Sequence, residues 1–153
     1  MLRIVRTDSE NGDFQELVKL LDEDLSIRDG AEHAFYAKFN KIDSIKNVVV
    51  AYQNQFAVGC GAFKKYDVEM VEIKRMFVRP ESRGKGIASE ILKVLEKWAT
   101  EFNFTSAILE TGYKQPEAIR LYEKSGYTVI PNYGQYEGVE NSVCLKKKLN
   151  ITH

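Results

Sequence analysis

Cysteine and proline are scarce in this chain, with two and three copies in 153 residues, and neither charge sign is in excess. Cys60 and Cys144 each sit in an apolar, strand-like run with no Cys or His partner nearby. They read as two reduced, buried thiols, and no metal site is expected. No Pro/Gly/Ser-rich linker, repeat or low-complexity tract divides the sequence, so one domain spanning residues 1–153 is expected. No apolar run approaches the roughly 20 residues needed to cross a bilayer. Lys plus Arg equals Asp plus Glu at 22 each, which removes the basic field that draws proteins onto nucleic acid or anionic lipid. The run Lys146–Lys148 reads as an exposed strand end. Met1–Arg6 is too short and too charged for a secretory signal, so a cytoplasmic address is expected. What remains is a chain 44% hydrophobic and 29% charged, a globular composition large enough to bury a core without staples.

Hydrophobic spacing outlines the elements. Leu2 to Arg6 alternates like a short strand, and Phe14, Leu17, Val18, Leu21 and Leu25 recur at helical intervals, with Ser9 or Asn11 as N-cap. Gly30 to Asn40 reads as a second, shorter helix. Asn47 to Tyr52 and Phe56 to Lys65 form a hairpin about the polar turn Gln53–Gln55. Glu69 to Val78 is a third strand, closed by Arg79-Pro80. Ile87, Ile91, Leu95 and Trp98 mark one face of a helix, and Ser106 to Thr111 is another strand. Pro116 to Ser125 is a helix that starts on Pro and is followed by Gly126. Tyr127 to Ile130 and Ser142 to Leu149 close the sheet. The order β-α-α-β-β-β-α-β-α-β-β predicts an α/β (α+β) fold with a mixed, mostly antiparallel central sheet and helices on both faces.

Between the third strand and the following helix lies Arg83-Gly84-Lys85-Gly86-Ile87-Ala88. A glycine-rich loop at a helix start offers several backbone N–H groups in one direction. The helix dipole adds partial positive charge, and the missing Cβ atoms admit an anion closely. Arg83 and Lys85 add full charges, so the segment suits a pyrophosphate. The dinucleotide fingerprint fails because Ser89 stands where its third Gly belongs, and the Walker A pattern is absent.

The loop matches [QR]-x-x-G-x-[GA] as Arg83-x-x-Gly86-x-Ala88, and this resembles the acyl-CoA loop of the GNAT superfamily of N-acetyltransferases. The flanks resemble that family too: Lys74-Arg75-Met76-Phe77-Val78-Arg79-Pro80 before the loop, then Leu109-Glu110-Thr111-Gly112 and the block Gln115 to Tyr127 after it. The resemblance implies a GNAT-like acyl-CoA N-acyltransferase fold and acetyl-CoA as co-substrate. It also implies that main-chain groups of Met76, Phe77 and Val78 pair with the pantetheine arm like an added strand. Backbone N–H groups from Gly84 through Lys85, Gly86, Ile87 and Ala88 to Ser89 would hold the pyrophosphate. Gln115 matches a position that touches the cofactor in many members. A homodimer is a further expectation of the resemblance.

An amine of pKa about 10 is mostly protonated at pH 7 and attacks a thioester only when neutral, so a proton acceptor is required. Tyr122, in Leu-Tyr-Glu, matches the family tyrosine that approaches the cofactor sulfur and is the candidate acid. Glu72 and Glu110, on successive central strands, are the candidate bases, and the sequence does not choose between them. Glu72 is expected to share a face with Lys74 and Met76 by strand alternation. Each carboxylate has an alternative reading as a structural partner of Lys74 or Arg75. Cys60 lacks a neighbouring base and reads as buried, not nucleophilic. His33, Phe35, Tyr36, Tyr113, Tyr133 and Tyr136 are candidates to line an acceptor pocket. The leading expectation is acetyl transfer to a primary amine, on a small molecule or a peptide, through a ternary complex without nucleic-acid or membrane partners. The second is a non-catalytic acyl-CoA-sensing module, which would keep the loop and lose Tyr122, Glu72 and Glu110.

Overall fold

The computed structural model describes residues 1–29 and 44–150. In chain order it contains β1 (Leu2–Thr7), α1 (Gly12–Asp29), β2 (Asn47–Gln53), β3 (Phe56–Lys65), β4 (Met70–Val78), α2 (Ile87–Glu101), β5 (Ser106–Gly112), α3 (Pro116–Lys124), β6 (Thr128–Ile130) and β7 (Ser142–Lys148). The helix expected over Gly30–Asn40 lies outside the described residues. Asn11 caps α1, its Oδ1 accepting the Phe14 N–H at 2.9 Å. Ser9 instead accepts the Ile45 N–H at 2.9 Å.

The strands form one sheet of order β1-β2-β3-β4-β5-β7-β6, antiparallel throughout except between β4 and β5. Alternation along the central strands feeds two cores. On one face Val49, Val71, Ile73, Leu109 and Leu145 meet Ile91, Leu92 and Leu95 of α2 and Tyr122 of α3. On the other, Val48, Val50, Cys60, Ala62 and Phe77 meet Phe14, Leu17 and Val18 of α1. This is the expected mixed sheet with helices on both faces.

Two irregularities create the functional region. First, β4 carries a bulge. Cys60 faces Phe77 and Ala62 faces Lys74, so Arg75 and Met76 together oppose Gly61, and Arg75 takes a left-handed φ of 61°. Such a bulge inserts one residue and reverses the alternation beyond it. Val71 and Ile73 point into the α2-side core, and so, past the bulge, do Met76 and Val78. Met76 therefore does not share a face with Glu72 and Lys74, contrary to simple alternation. Second, the parallel ladder between β4 and β5 ends early. It joins Met70, Val71 and Glu72 to Ser106, Ala107 and Ile108, whereas β5 stays paired with β7 along its whole length. Beyond Glu72 and Ile108 the two strands part, and among the described residues one edge of β4 is left without a strand partner.

Candidate active site

The gap between β4 and β5 is the floor of a cleft in two connected parts. The first is walled by Ile73–Met76 of β4, Glu110–Gly112 of β5 and Leu21 and Leu25 of α1. The second runs past Met76–Val78 to the Ser82–Gly84 loop, Gly86 and the first turn of α2, Ile87–Ser89. Leu21, Met76, Gln115, Ala118 and Tyr122 line both parts.

The loop is built as an anion cradle. Gly84 and Gly86 hold φ of 79° and 80°, and a Cβ at either would meet nothing within 4 Å. Glycine is thus needed there for conformation and for an open approach. The first intrahelical bond of α2 runs from Glu90 N–H to Gly86 C=O at 3.1 Å, which leaves the amides of Ile87, Ala88 and Ser89 without an intrahelical acceptor. Arg83 donates from Nε to the Val78 carbonyl at 2.8 Å, and its Nη2 lies 3.8 Å from Asp24 of α1. The cradle and the unpaired edge of β4 fit a pyrophosphate joined to an amide-bearing arm. Lys85 is exposed and is not among the residues lining the cleft.

Tyr122 stands where the two parts meet. It is buried in the α2-side core, edge-on to Tyr127 with ring centroids 5.8 Å apart. Burial, and then the negative charge of Glu110, push its phenol well above the ordinary range, so it is protonated at neutral pH and available as a donor. Glu110 lines the first part, and its Oε2 accepts the Ser142 hydroxyl at 2.7 Å. Glu72 is 9% exposed and lines neither part. Its Oε2 accepts the Tyr133 hydroxyl at 2.7 Å, and its Oε1 is 3.7 Å from the Lys74 ammonium.

Of the remaining candidates, Tyr133 and Tyr136 stack edge-on at 5.7 Å, and Tyr66 meets Tyr133 at 5.2 Å. The loop between β6 and β7 is thereby tied down beside Glu72. Tyr113 is half exposed. His33, Phe35 and Tyr36 lie outside the described residues. Cys60 is fully buried, donates to the Arg75 carbonyl at 3.3 Å, and has its thiol pushed up to about 12 by burial. It is a packed thiol, and both cysteines are free. Sequence reasoning passed over Leu21 of α1, Ser142, and Lys74 as a lining residue. The stripe Leu17-Leu21-Leu25 carried a signal for the first of these. Among the described residues no helix is long and apolar enough to cross a membrane.

Residues 14–127 match the model of the Acetyltransferase (GNAT) family. The chain is 36% identical over 103 residues to the IAA acetyltransferase of Azospirillum brasilense, covering 66% of this chain and 67% of that protein. A Klebsiella pneumoniae chain assigned as an acyl-CoA N-acyltransferase superposes with a TM-score of 0.82 at 25% identity, over 98% of this chain and 99% of that one. A GNAT-family acetyltransferase from Elizabethkingia anophelis, solved with acetyl-CoA bound, shares the fold at a TM-score of 0.69 and 17% identity over 97% of this chain and 98% of that one. With the glycine loop and the parted strands already in view, these matches assign the chain to the GNAT family as an N-acetyltransferase.

Proposed function

We propose that the chain, acting as one domain, moves the acetyl group of acetyl-CoA to a primary amine by direct attack in a ternary complex. Glu110 serves as base and Tyr122 as acid. Main-chain groups of Met76–Val78 receive the pantetheine arm, and the amides from Gly84 to Ser89 receive the pyrophosphate. Arg83 steadies the loop, and Gln115 borders both parts of the cleft. The amine nitrogen bonds to the thioester carbonyl carbon as its proton passes to Glu110. The carbon–sulfur bond then breaks as the Tyr122 hydroxyl proton passes to sulfur. Solvent returns the proton from Glu110 to the tyrosinate, so the products are an amide and a free thiol. Holding both substrates in line contributes much of the acceleration in such reactions, and proton transfer by placed groups adds roughly 10²–10⁴-fold.

One observation carries this reading. A neutral, buried phenol borders both parts of the cleft, held protonated by its burial and then by the charge of Glu110. Glu110 is preferred to Glu72 because it lines the cleft, whereas Glu72 is engaged by Tyr133 and Lys74. The test is Tyr122→Phe assayed against a panel of primary amines with acetyl-CoA. We expect kcat to fall at least about tenfold, with acetyl-CoA affinity by calorimetry unchanged. Equal losses in both would reduce Tyr122 to packing. Retention of acetyl-CoA binding with no amine acetylated by the native chain would favour a sensing module.

A further inference from the structure

We propose that the acceptor is a small amino acid, with a carboxylate beside its amine, and that Lys74 receives that carboxylate. The inference rests on the reading of Glu110 as the group that takes the amine proton. In the parallel pairing of β4 with β5, Glu72 stands opposite Ile108. The next residues on the same face of each strand are Lys74 and Glu110. They come just past the end of the ladder, where the strands have begun to part, and both line the first part of the cleft with Tyr122. A cation on one bank and a carboxylate on the other therefore flank the place where acceptor and thioester must meet.

Among the described residues the Lys74 ammonium is short of partners. Its side chain is 12% exposed, and among the described residues its one ionic contact is Glu72 Oε1 at 3.7 Å. That distance is too long for a hydrogen bond. Glu72 is also drawn the other way, since Tyr133 donates to its second oxygen at 2.7 Å. An ammonium has three N–H donors and loses hydration on burial. An acceptor carboxylate arriving at Lys74 would replace water there with charge-assisted bonds. The neighbouring cation has a different engagement, with Arg75 Nη1 3.7 Å from Asp22 of α1.

The same arrangement selects against other amines. A polyamine would set a second ammonium against Lys74, a like-charge contact that discriminates without any clash of shape. An arylalkylamine, which has no carboxylate, would cover Lys74 and leave it poorly paired, which is the stronger kind of penalty. An amino acid satisfies both banks, with its amine toward Glu110 and its carboxylate toward Lys74.

The test compares serine, methionine and glutamate with their α-carboxamides and amino alcohols as acceptors of acetyl-CoA, with putrescine and phenethylamine included as amines lacking a carboxylate. We expect kcat/KM to be at least about tenfold higher for the acids than for the carboxamides, the scale of one charge-assisted contact. The carboxamides have the less basic amines, so their intrinsic reactivity works against this outcome. Lys74→Met should collapse the acid-to-amide ratio, and Lys74→Arg should retain its direction. Thermal melts of both variants with acetyl-CoA confirm that the fold and cofactor site persist. A ratio near one in the native chain, or one unchanged in Lys74→Met, overturns the inference. Acetylation of putrescine or phenethylamine alone overturns it too while leaving transfer to amines intact. If no amine reacts although acetyl-CoA still raises the melting temperature, both readings fall together.

Discussion

Replacing Gly61 by alanine should strike stability and cofactor binding together, because this residue is the hinge on which the β4 bulge is packed. A Cβ at Gly61 would lie 2.6 Å from the Met76 sulfur, 2.9 Å from Ile91 Cγ2 and 2.9 Å from Leu95 Cδ1. All three distances are below the ordinary van der Waals range. Met76 can swing its thioether aside, but Ile91 and Leu95 are fully buried on α2, so the helix or the bulge must yield. Overpacking of this kind costs about 1–3 kcal/mol. For a domain of this size each kcal/mol lowers the melting temperature by roughly 2–4 °C, so a drop of about 2–12 °C is expected. Met76 borders both parts of the cleft, so its displacement should also raise the KM for acetyl-CoA. The control is Gly12→Ala at the exposed start of α1, where a Cβ meets nothing within 4 Å. There the change should be neutral, or stabilising by up to about 1 kcal/mol. Scanning calorimetry and an acetyl-CoA titration on both variants decide the matter. If Gly61→Ala melts like the native chain and binds acetyl-CoA normally, β3 and α2 are not in the close contact on which the argument depends.

Gly86→Ala forces a side chain into a left-handed turn at φ 80°, at about 1–2 kcal/mol. It also puts a methyl beside the anion cradle, so calorimetry should record at least a tenfold weaker acetyl-CoA complex. Ser142→Ala removes the 2.7 Å donor to Glu110, and a hydrogen bond to a charged group contributes about 1.5–3 kcal/mol, so kcat should fall at least about tenfold while acetyl-CoA affinity holds. Ser142→Thr should restore the rate, and an unchanged kcat in Ser142→Ala would show that the serine only packs. Burial holds the thiol of Cys60 up to about 12 and that of Cys144 up to about 11, against an ordinary value of 9.0. Between pH 9 and 11 the unfolded chain therefore binds fewer protons than the folded one, and stability falls as pH rises. Cys60 contributes about 1.4 kcal/mol for each pH unit crossed in that window. Urea melts at pH 8 and pH 10.5 should show the decline, and equal midpoints would refute it.

The sequence spells out the parts of this site that depend on local rules. The glycine loop and its helix were readable because Gly84 and Gly86 precede an apolar stripe, and Ile87, Ile91 and Leu95 do face the core. The β2–β3 hairpin was readable from its polar turn, where Asn54 and Gln55 take φ of 52° and 69°. Tyr122 and Glu110 were nameable from the family block, although their nearness depends on how α3 packs against β5. What lay beyond reach were contacts set by register between distant segments. Ser142 meets Glu110 across 32 positions of sequence, and Tyr133 meets Glu72 across 61. No periodicity in either segment encodes those pairings.

The bulge at Arg75 is the instructive case. Lys74-Arg75-Met76 reads as an ordinary alternating strand, with no glycine or proline to announce a left-handed residue. The sequence cue sits on the partner strand, where Gly59 and Gly61 leave room for Phe77, Met76 and α2 to close in. Its consequence is a division of labour within β4. Before the bulge, alternation sends Glu72 and Lys74 to the face where the two carboxylates and the loop tyrosines gather. After it, Met76 and Val78 turn into the α2-side core, while the main-chain edge of the same stretch borders the gap. A regular strand would have kept Met76 on the face of Lys74, crowding the acceptor side and removing an anchor for α2. On the proposed function, one inserted residue lets a single strand serve the acceptor with its side chains and the coenzyme with its backbone.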